Sequence, residues 1–204
     1  MTSATASGAV QVPPPPPGSG SVREYSAEEA AKLPPPPAGS KYVTLNDGSV
    51  IWSQWSNHEK GGPMLMPADI SFADNVKAAE VLRARTEGLP FNSEGGPLDS
   101  KASTMIAWFT PGAGTMDYQS VYGSGGEYNK SYIDVTNYNY GIVAAAAGYS
   151  LEDALWHAGA VNWGRHPFDP KQRTGPFANK ERNADMIVKG YEDFKAGRIG
   201  PREH

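Results

Sequence analysis

Between Gly114 and Gly148 the chain places Asp117 and Asp134, the amides of Gln119, Asn137 and Asn139, and six tyrosines beside a short Ala-rich run. Carboxyl groups move protons, amides and phenols hydrogen-bond hydroxyls and acetamido groups, and aromatic faces stack on pyranose rings. That mixture on a weak apolar framework reads as a ligand site. Asp117 follows Gly112-Ala113-Gly114, where backbone can come close to a ligand. Its plainer role is to cap or brace the loop. Asp134 is a second carboxylate near the Asn/Tyr stretch. Asp185 is a third, more simply explained as a favourable charge at the start of the last helix. If Asp117 converges with either, the pair can divide general-acid and general-base duty, and a separation of about 5 to 10 Å suits glycosidic cleavage.

Asn137 and Asn139 alternate with Tyr138 and Tyr140, so extended backbone projects both amides together and helical backbone splays them apart. An extended lead-in to a helix starting at Tyr140 fits better, because asparagine caps helices. Tyr118, Gln119, Asn137, Asn139 and Tyr140 are then the substrate-binding candidates. His157 lies four residues after Asp153, which makes it either an ordinary surface pair or a general base. His58, His166 and His204 have no companions at ligand spacing, and no HExxH pattern occurs. No metal and no cofactor are expected. The glycine patterns of NTPases, dinucleotide enzymes and GxSxG serine hydrolases are missing as well.

The elements that must position these groups can be read from periodicity and punctuation. Lys41 to Leu45 and Ser49 to Trp55, around Asn46-Asp47-Gly48, predict a small β-hairpin. Trp52 and Trp55 would cover one edge of the core, or stack on a sugar. Ser71 and Asp74 start an amphipathic helix over about 72–86, with Phe72, Val76, Ala79 and Leu82 on one face. A Gly/Pro/Asn/Ser-rich loop follows at 89–100, and the apolar run 103–109 reads as helix. Tyr140 to Ala147, closed by Gly148, predict a central helix whose small side chains admit other backbones. Ser150-x-x-Asp153 opens the next helix, with Leu151, Ala154, Leu155, Ala158 and Val161 as its apolar face. Ile187, Tyr191 and Phe194 mark a last helix over about 183–196. The fold class is mainly α (α+β): a compact helical domain with a small N-terminal hairpin.

Asp117-Tyr118, then Asn137-Tyr138-Asn139-Tyr140-Gly141 running into the Ala-rich helix closed by Gly148, and Asp185 before Gly190, resemble the polymorphic toxin type 44 (bacterial toxin 44) domain. The resemblance covers roughly residues 112–196. Two departures stand out: Gln119 occupies the place of a family lysine, and Thr136-Asn137-Tyr138 replaces a Gly-Asn-Phe run. The resemblance implies the C-terminal warhead of a secreted interbacterial competition toxin, delivered by type VI or contact-dependent machinery. It also implies a cognate immunity protein that plugs the site. Nuclease activity has been suggested for the family, so a toxin is implied more firmly than a reaction.

Composition bounds these readings. The 204 residues hold no cysteine, so the domain relies on its core in any redox compartment. Net charge is −4 with a pI near 5.6, which argues against a large basic surface for a nucleic-acid backbone. A local basic patch could come only from Arg165, Lys171, Arg173, Lys180, Arg182, Lys189, Lys195, Arg198 and Arg202, which otherwise form a solvated face. Pro13 to Pro17 and Pro34 to Pro37 predict stiff polyproline II segments, so residues 1–40 are expected to be a disordered leader. The globular part would span 41–197, with a tail at 198–204. No Sec-type signal or membrane span is legible. Export would then use a specialised system, with an adaptor or chaperone holding the Pro-rich leader.

Three functions follow as expectations. The first is a peptidoglycan hydrolase acting in the target-cell periplasm, with Asp117 as acid or nucleophile and Asp134 or Asp185 as its partner. The second is a ribonuclease toxin of the target-cell cytoplasm, in which His157 with Asp117 or Lys130 handles the protons of RNA cleavage. The third is a non-catalytic binding module that uses the tyrosine-rich stretch as an adhesive surface.

Overall fold

A computed structural model describes residues 20–56, 60–87, 100–110, 112–125 and 127–200. The first proline run, His58, His204 and nearly all of the loop expected at 89–100 lie outside the described residues.

The fold is built around a helix chosen for smallness. Alanine combines the best helix propensity with the least bulk, and in α5 (Ile133–Ala146) Ile142, Val143 and Ala144 are fully buried. The last helix, α7 (Glu181–Lys195), crosses it at backbone contact. A Cβ added to Gly141 would meet the Ile187 carbonyl oxygen at 2.1 Å, and one on Gly190 would meet the Tyr138 carbonyl oxygen at 2.0 Å. Only glycine at both crossing points allows the two backbones to approach this closely.

Around this pair pack α2 (Phe72–Thr86), α3 (Ser100–Phe109), the short α4 (Tyr118–Val121) and α6 (Leu151–Arg165). The Ser71 hydroxyl accepts from the Asp74 amide to start α2, and Ser150 does the same with Asp153 for α6. The apolar face predicted for α2 is the buried one: Phe72, Val76, Ala79 and Leu82. On the other side lie short strands: β1 (Val22–Tyr25), β2 (Ser40–Tyr42), β3 (Val50–Ser53), β4 (Gly62–Pro63) and β5 (Leu65–Pro67). β1, β3 and β4 form an antiparallel sheet in that order, while β2 pairs with β5. The protein is mainly α with N-terminal β elements. No described helix is long and apolar enough to cross a membrane.

The turn at Asp47-Gly48 forms, with Gly48 at φ 87°, and its arms pair through the Leu45 amide to the Ser49 carbonyl and the Ile51 amide to the Val43 carbonyl. Beyond the Thr44–Val50 bridge the arms part to β5 and to β1 and β4. Three expectations need correction. The leader does not extend to residue 40. Val22–Tyr25 pairs with Val50–Ser53, and a capping box at Ser26 and Glu29 opens α1 (Ala27–Ala30). The C-terminal tail does not begin at 198, because Arg198 bonds Glu24 and Ile199 is buried. The Asn/Tyr stretch is not extended. It is helical from Ile133, because burying Val135 and Tyr138 on one face outweighs the modest helix preference of Asn and Tyr.

Candidate functional site

Asp117 sits at the end of a tight loop fixed by backbone. The Gly114 amide donates to the Thr110 carbonyl at 2.7 Å and the Met116 amide to the Trp108 carbonyl at 2.9 Å. A Cβ on Gly114 would lie 2.2 Å from the Trp108 carbonyl oxygen, so the loop requires glycine there. Asp117 is fully buried at the start of α4, yet its side chain does not cap that helix. Its Oδ2 accepts from the Ser120 hydroxyl, and its Oδ1 has no hydrogen-bond partner among the described residues.

Asp117 lines a cavity of about 320 Å³. α3 contributes Ala102, Met105, Ile106 and Phe109, an apolar wall. α5 contributes Ile133, Thr136, Asn137 and Tyr140. α6 contributes His157, Ala158, Val161, Asn162 and Arg165, and α7 contributes Asn183 and Ile187. Thr110, Gln119, Tyr128, His166, Gln172 and Asn179 complete the lining. The lining joins one carboxylate to several amides and two phenols on an apolar floor.

Several lining groups are held in place. Tyr140 donates its hydroxyl to the Ala154 carbonyl at 3.2 Å, and its ring meets Phe109 edge-on at 5.1 Å. Burial pushes the Tyr140 phenol above its ordinary pKa, so it stays a neutral donor. The Asn137 amide donates to the Ile133 carbonyl at 2.9 Å and reaches Asn183 Oδ1 at 3.4 Å. Asn179 Nδ2 lies between the Leu155 and Pro176 carbonyls at 2.8 and 3.1 Å. His157 is braced edge-on by Tyr149 and Trp156. At the mouth, Arg165 reaches the Tyr128 hydroxyl at 3.4 Å.

Of the candidates read from sequence, the cavity gathers Asp117, Gln119, Asn137, Tyr140 and His157. It does not gather Asp134, Asp185, Tyr118 or Asn139. Asp134 is buried in a structural ion pair: Arg182 Nε lies at 2.5 Å, with the Ser53 and Ser56 hydroxyls at 2.8 and 3.1 Å. Asp185 accepts from the Ser21 hydroxyl and fastens the N-terminal residues. Tyr118 and Asn139 lie beneath the site, and Asn75 donates to both. Burial raises the Tyr118 phenol well above its ordinary pKa. Among the described residues no second carboxylate lines the cavity with Asp117, so the expected pairing with Asp134 or Asp185 does not form. The helical backbone of α5 separates Asn137 from Asn139, as the splayed alternative requires.

Sequence reading missed Tyr128, Asn162, Arg165, His166, Gln172, Asn179 and Asn183. One signal was present. His157, Val161 and Arg165 repeat at four-residue spacing on the same stripe of α6 as Ala158 and Asn162, which mixes polar with apolar groups as a pocket wall does. Ala158 and Val161, assigned to the core, form part of that wall. No protein-family model, no curated protein and no solved structure matches the chain.

Proposed function

We propose that the protein is an antibacterial effector whose cavity hydrolyses a glycan, peptidoglycan being the polymer that suits a toxin. The observation that carries this reading is Asp117: a fully buried carboxylate with one oxygen unpartnered, facing a cavity of amides, phenols and apolar side chains. An orphaned buried acceptor costs about 1–3 kcal/mol, which a ligand hydrogen bond would recover. In the proposed reaction the Asp117 carboxyl gives its proton to the glycosidic oxygen. The C1–O bond breaks and its electron pair leaves with that oxygen. With one carboxylate, charge at C1 is met by the substrate's own 2-acetamido oxygen, as in substrate-assisted glycosidases. That oxygen bonds to C1; water then attacks C1, the bond to the acetamido oxygen breaks with its electron pair returning to the acetamido group, and the Asp117 carboxylate takes the proton that water gives up. A cognate immunity protein would act by occluding this cavity, and an adaptor would hold the leader.

Purified protein incubated with sacculi should release muropeptides, and the Asp117→Asn variant should not. Intact sacculi at high enzyme concentration overturn the reading. A second reading is favoured by one observation: His157, His166 and Arg165 line the same cavity. Two imidazoles and a guanidinium are suited to proton transfer and charge stabilisation at a ribose phosphate, which is ribonuclease chemistry. Cleavage of RNA by the same preparation, lost in His157→Ala, with sacculi untouched, would establish it instead.

A further inference from the structure

Asp117 opens α4, and a carboxylate in that place ordinarily accepts a hydrogen bond from an amide of the helix's first turn. Here it does not. The Ser120 and Val121 amides both donate to the Asp117 backbone carbonyl, each at 3.0 Å. The side chain is left to the Ser120 hydroxyl, which donates to Oδ2, while Oδ1 has no partner among the described residues. The turn that carries both residues is anchored from two sides. Tyr118 is buried and its hydroxyl accepts from Asn75, and the Gln119 carbonyl accepts from the Asn129 amide at 2.7 Å. Ser120 itself does not line the cavity.

The type of partner matters for a group that must both give and take a proton. A backbone amide only donates, so it favours the ionised carboxylate. A hydroxyl donates and accepts, so it can stay bonded to the carboxyl group in either protonation state. Rotation about the last bond of an aspartate side chain is broad and roughly two-fold, so that torsion alone does not fix the plane of the carboxyl group. A hydrogen bond does. We infer that Ser120 is the positioning residue of Asp117: its hydroxyl holds Oδ2, sets the carboxyl plane, and leaves Oδ1 as the oxygen through which protons pass. The inference rests on the glycan hydrolysis proposed above. There the proton on Oδ1 moves to the glycosidic oxygen, and the same Oδ1 later takes the proton of the attacking water. Ser120 keeps its own proton throughout.

The test uses the full chain and soluble, peptide-free glycan chains, whose concentration can be varied, well below the melting temperature of each variant. Ser120→Ala should lower kcat about 10- to 100-fold, the size of one hydrogen bond to a charged group, with KM unchanged. Ser120→Thr puts a hydroxyl back in the same place and should restore most of kcat. An undiminished kcat in Ser120→Ala overturns the role, and so does a loss that appears in KM or that threonine does not recover. The two readings fail distinguishably. Glycan chains and sacculi left whole by the parent overturn the hydrolase and the role of Ser120 with it. Chains cut equally fast by the parent and by Ser120→Ala overturn the role of Ser120 alone.

Discussion

Asp117 and Asp134 are both aspartates with almost no exposed surface, and what separates them is whether their oxygens are spoken for. Asp134 faces a guanidinium and two hydroxyls, so its charge is compensated within the protein. Asp117 has one serine hydroxyl and one oxygen left over. Replacing each by asparagine should therefore have opposite consequences. Asp117→Asn should cut muropeptide release by ~10²-fold or more, the usual contribution of a general acid, without lowering the melting temperature. Asp134→Asn leaves the nearly buried Arg182 uncompensated and should cost about 3–5 kcal/mol in urea unfolding. Asp185→Asn should leave catalysis unchanged, because its partner is Ser21 and not the cavity. Equal loss of activity in the Asp117 and Asp185 variants at full stability would reject this ranking. The sequence made Asp117 legible through its glycines. It could not reveal the fate of Asp134, whose partners lie 48 to 81 positions away.

At the scale of elements, the cavity lies where α3, α5, α6 and α7 meet, and the close contact of α5 with α7 fixes one side of it. The contact depends on two hydrogens. Gly141→Ala drives a Cβ into the Ile187 carbonyl, and a backbone atom cannot yield as a side-chain tip can. The loss should be about 3 kcal/mol by chemical denaturation, the upper end of overpacking costs. An alanine variant as stable as the parent would show that the crossing is looser than described. Gly159 works similarly in α6, where a Cβ would lie 1.6 Å from the Phe177 carbonyl oxygen. That contact holds the turn Pro176–Ala178 and, with it, the buried Asn179 of the cavity lining. Gly159→Ala should thus weaken glycan binding and lower the melting temperature together. Helix spans such as 72–86 were readable, because caps and apolar spacing are local signals. The start of α5 was not, since its asparagines and tyrosines favour the helix only once α7 and α2 bury them.

Across the whole molecule, one partly buried charge cluster joins regions far apart in sequence. Asp193 accepts from the Tyr138 hydroxyl at 2.8 Å, from Lys189 at 2.6 Å and from Arg198 at 3.1 Å. Arg198 and Lys189 in turn reach Glu24 on β1 at 2.5 and 2.7 Å. The cluster clamps the first strand and the chain's last described turn onto α7. The hydrogen bond from Arg198, aided by Lys189, holds the Glu24 carboxyl below its ordinary pKa despite partial burial. A carboxylate with a depressed folded-state pKa adds stability that is present above its unfolded value, about 4.3. That stability is lost as pH falls through the folded-state value. The difference in urea midpoint between the parent and Glu24→Gln should therefore be constant from neutral pH down to about 5 and shrink below about 4.3. Glutamine cannot titrate, so the variant lacks the clamp at every pH and the two curves converge in acid. A midpoint difference that persists unchanged to pH 3 would mean that Glu24 contributes through packing alone. Removing residues 1–25 should lower the neutral-pH midpoint by more than Glu24→Gln does, because β1 also supplies the hydrogen bonds that cover the edge of β3.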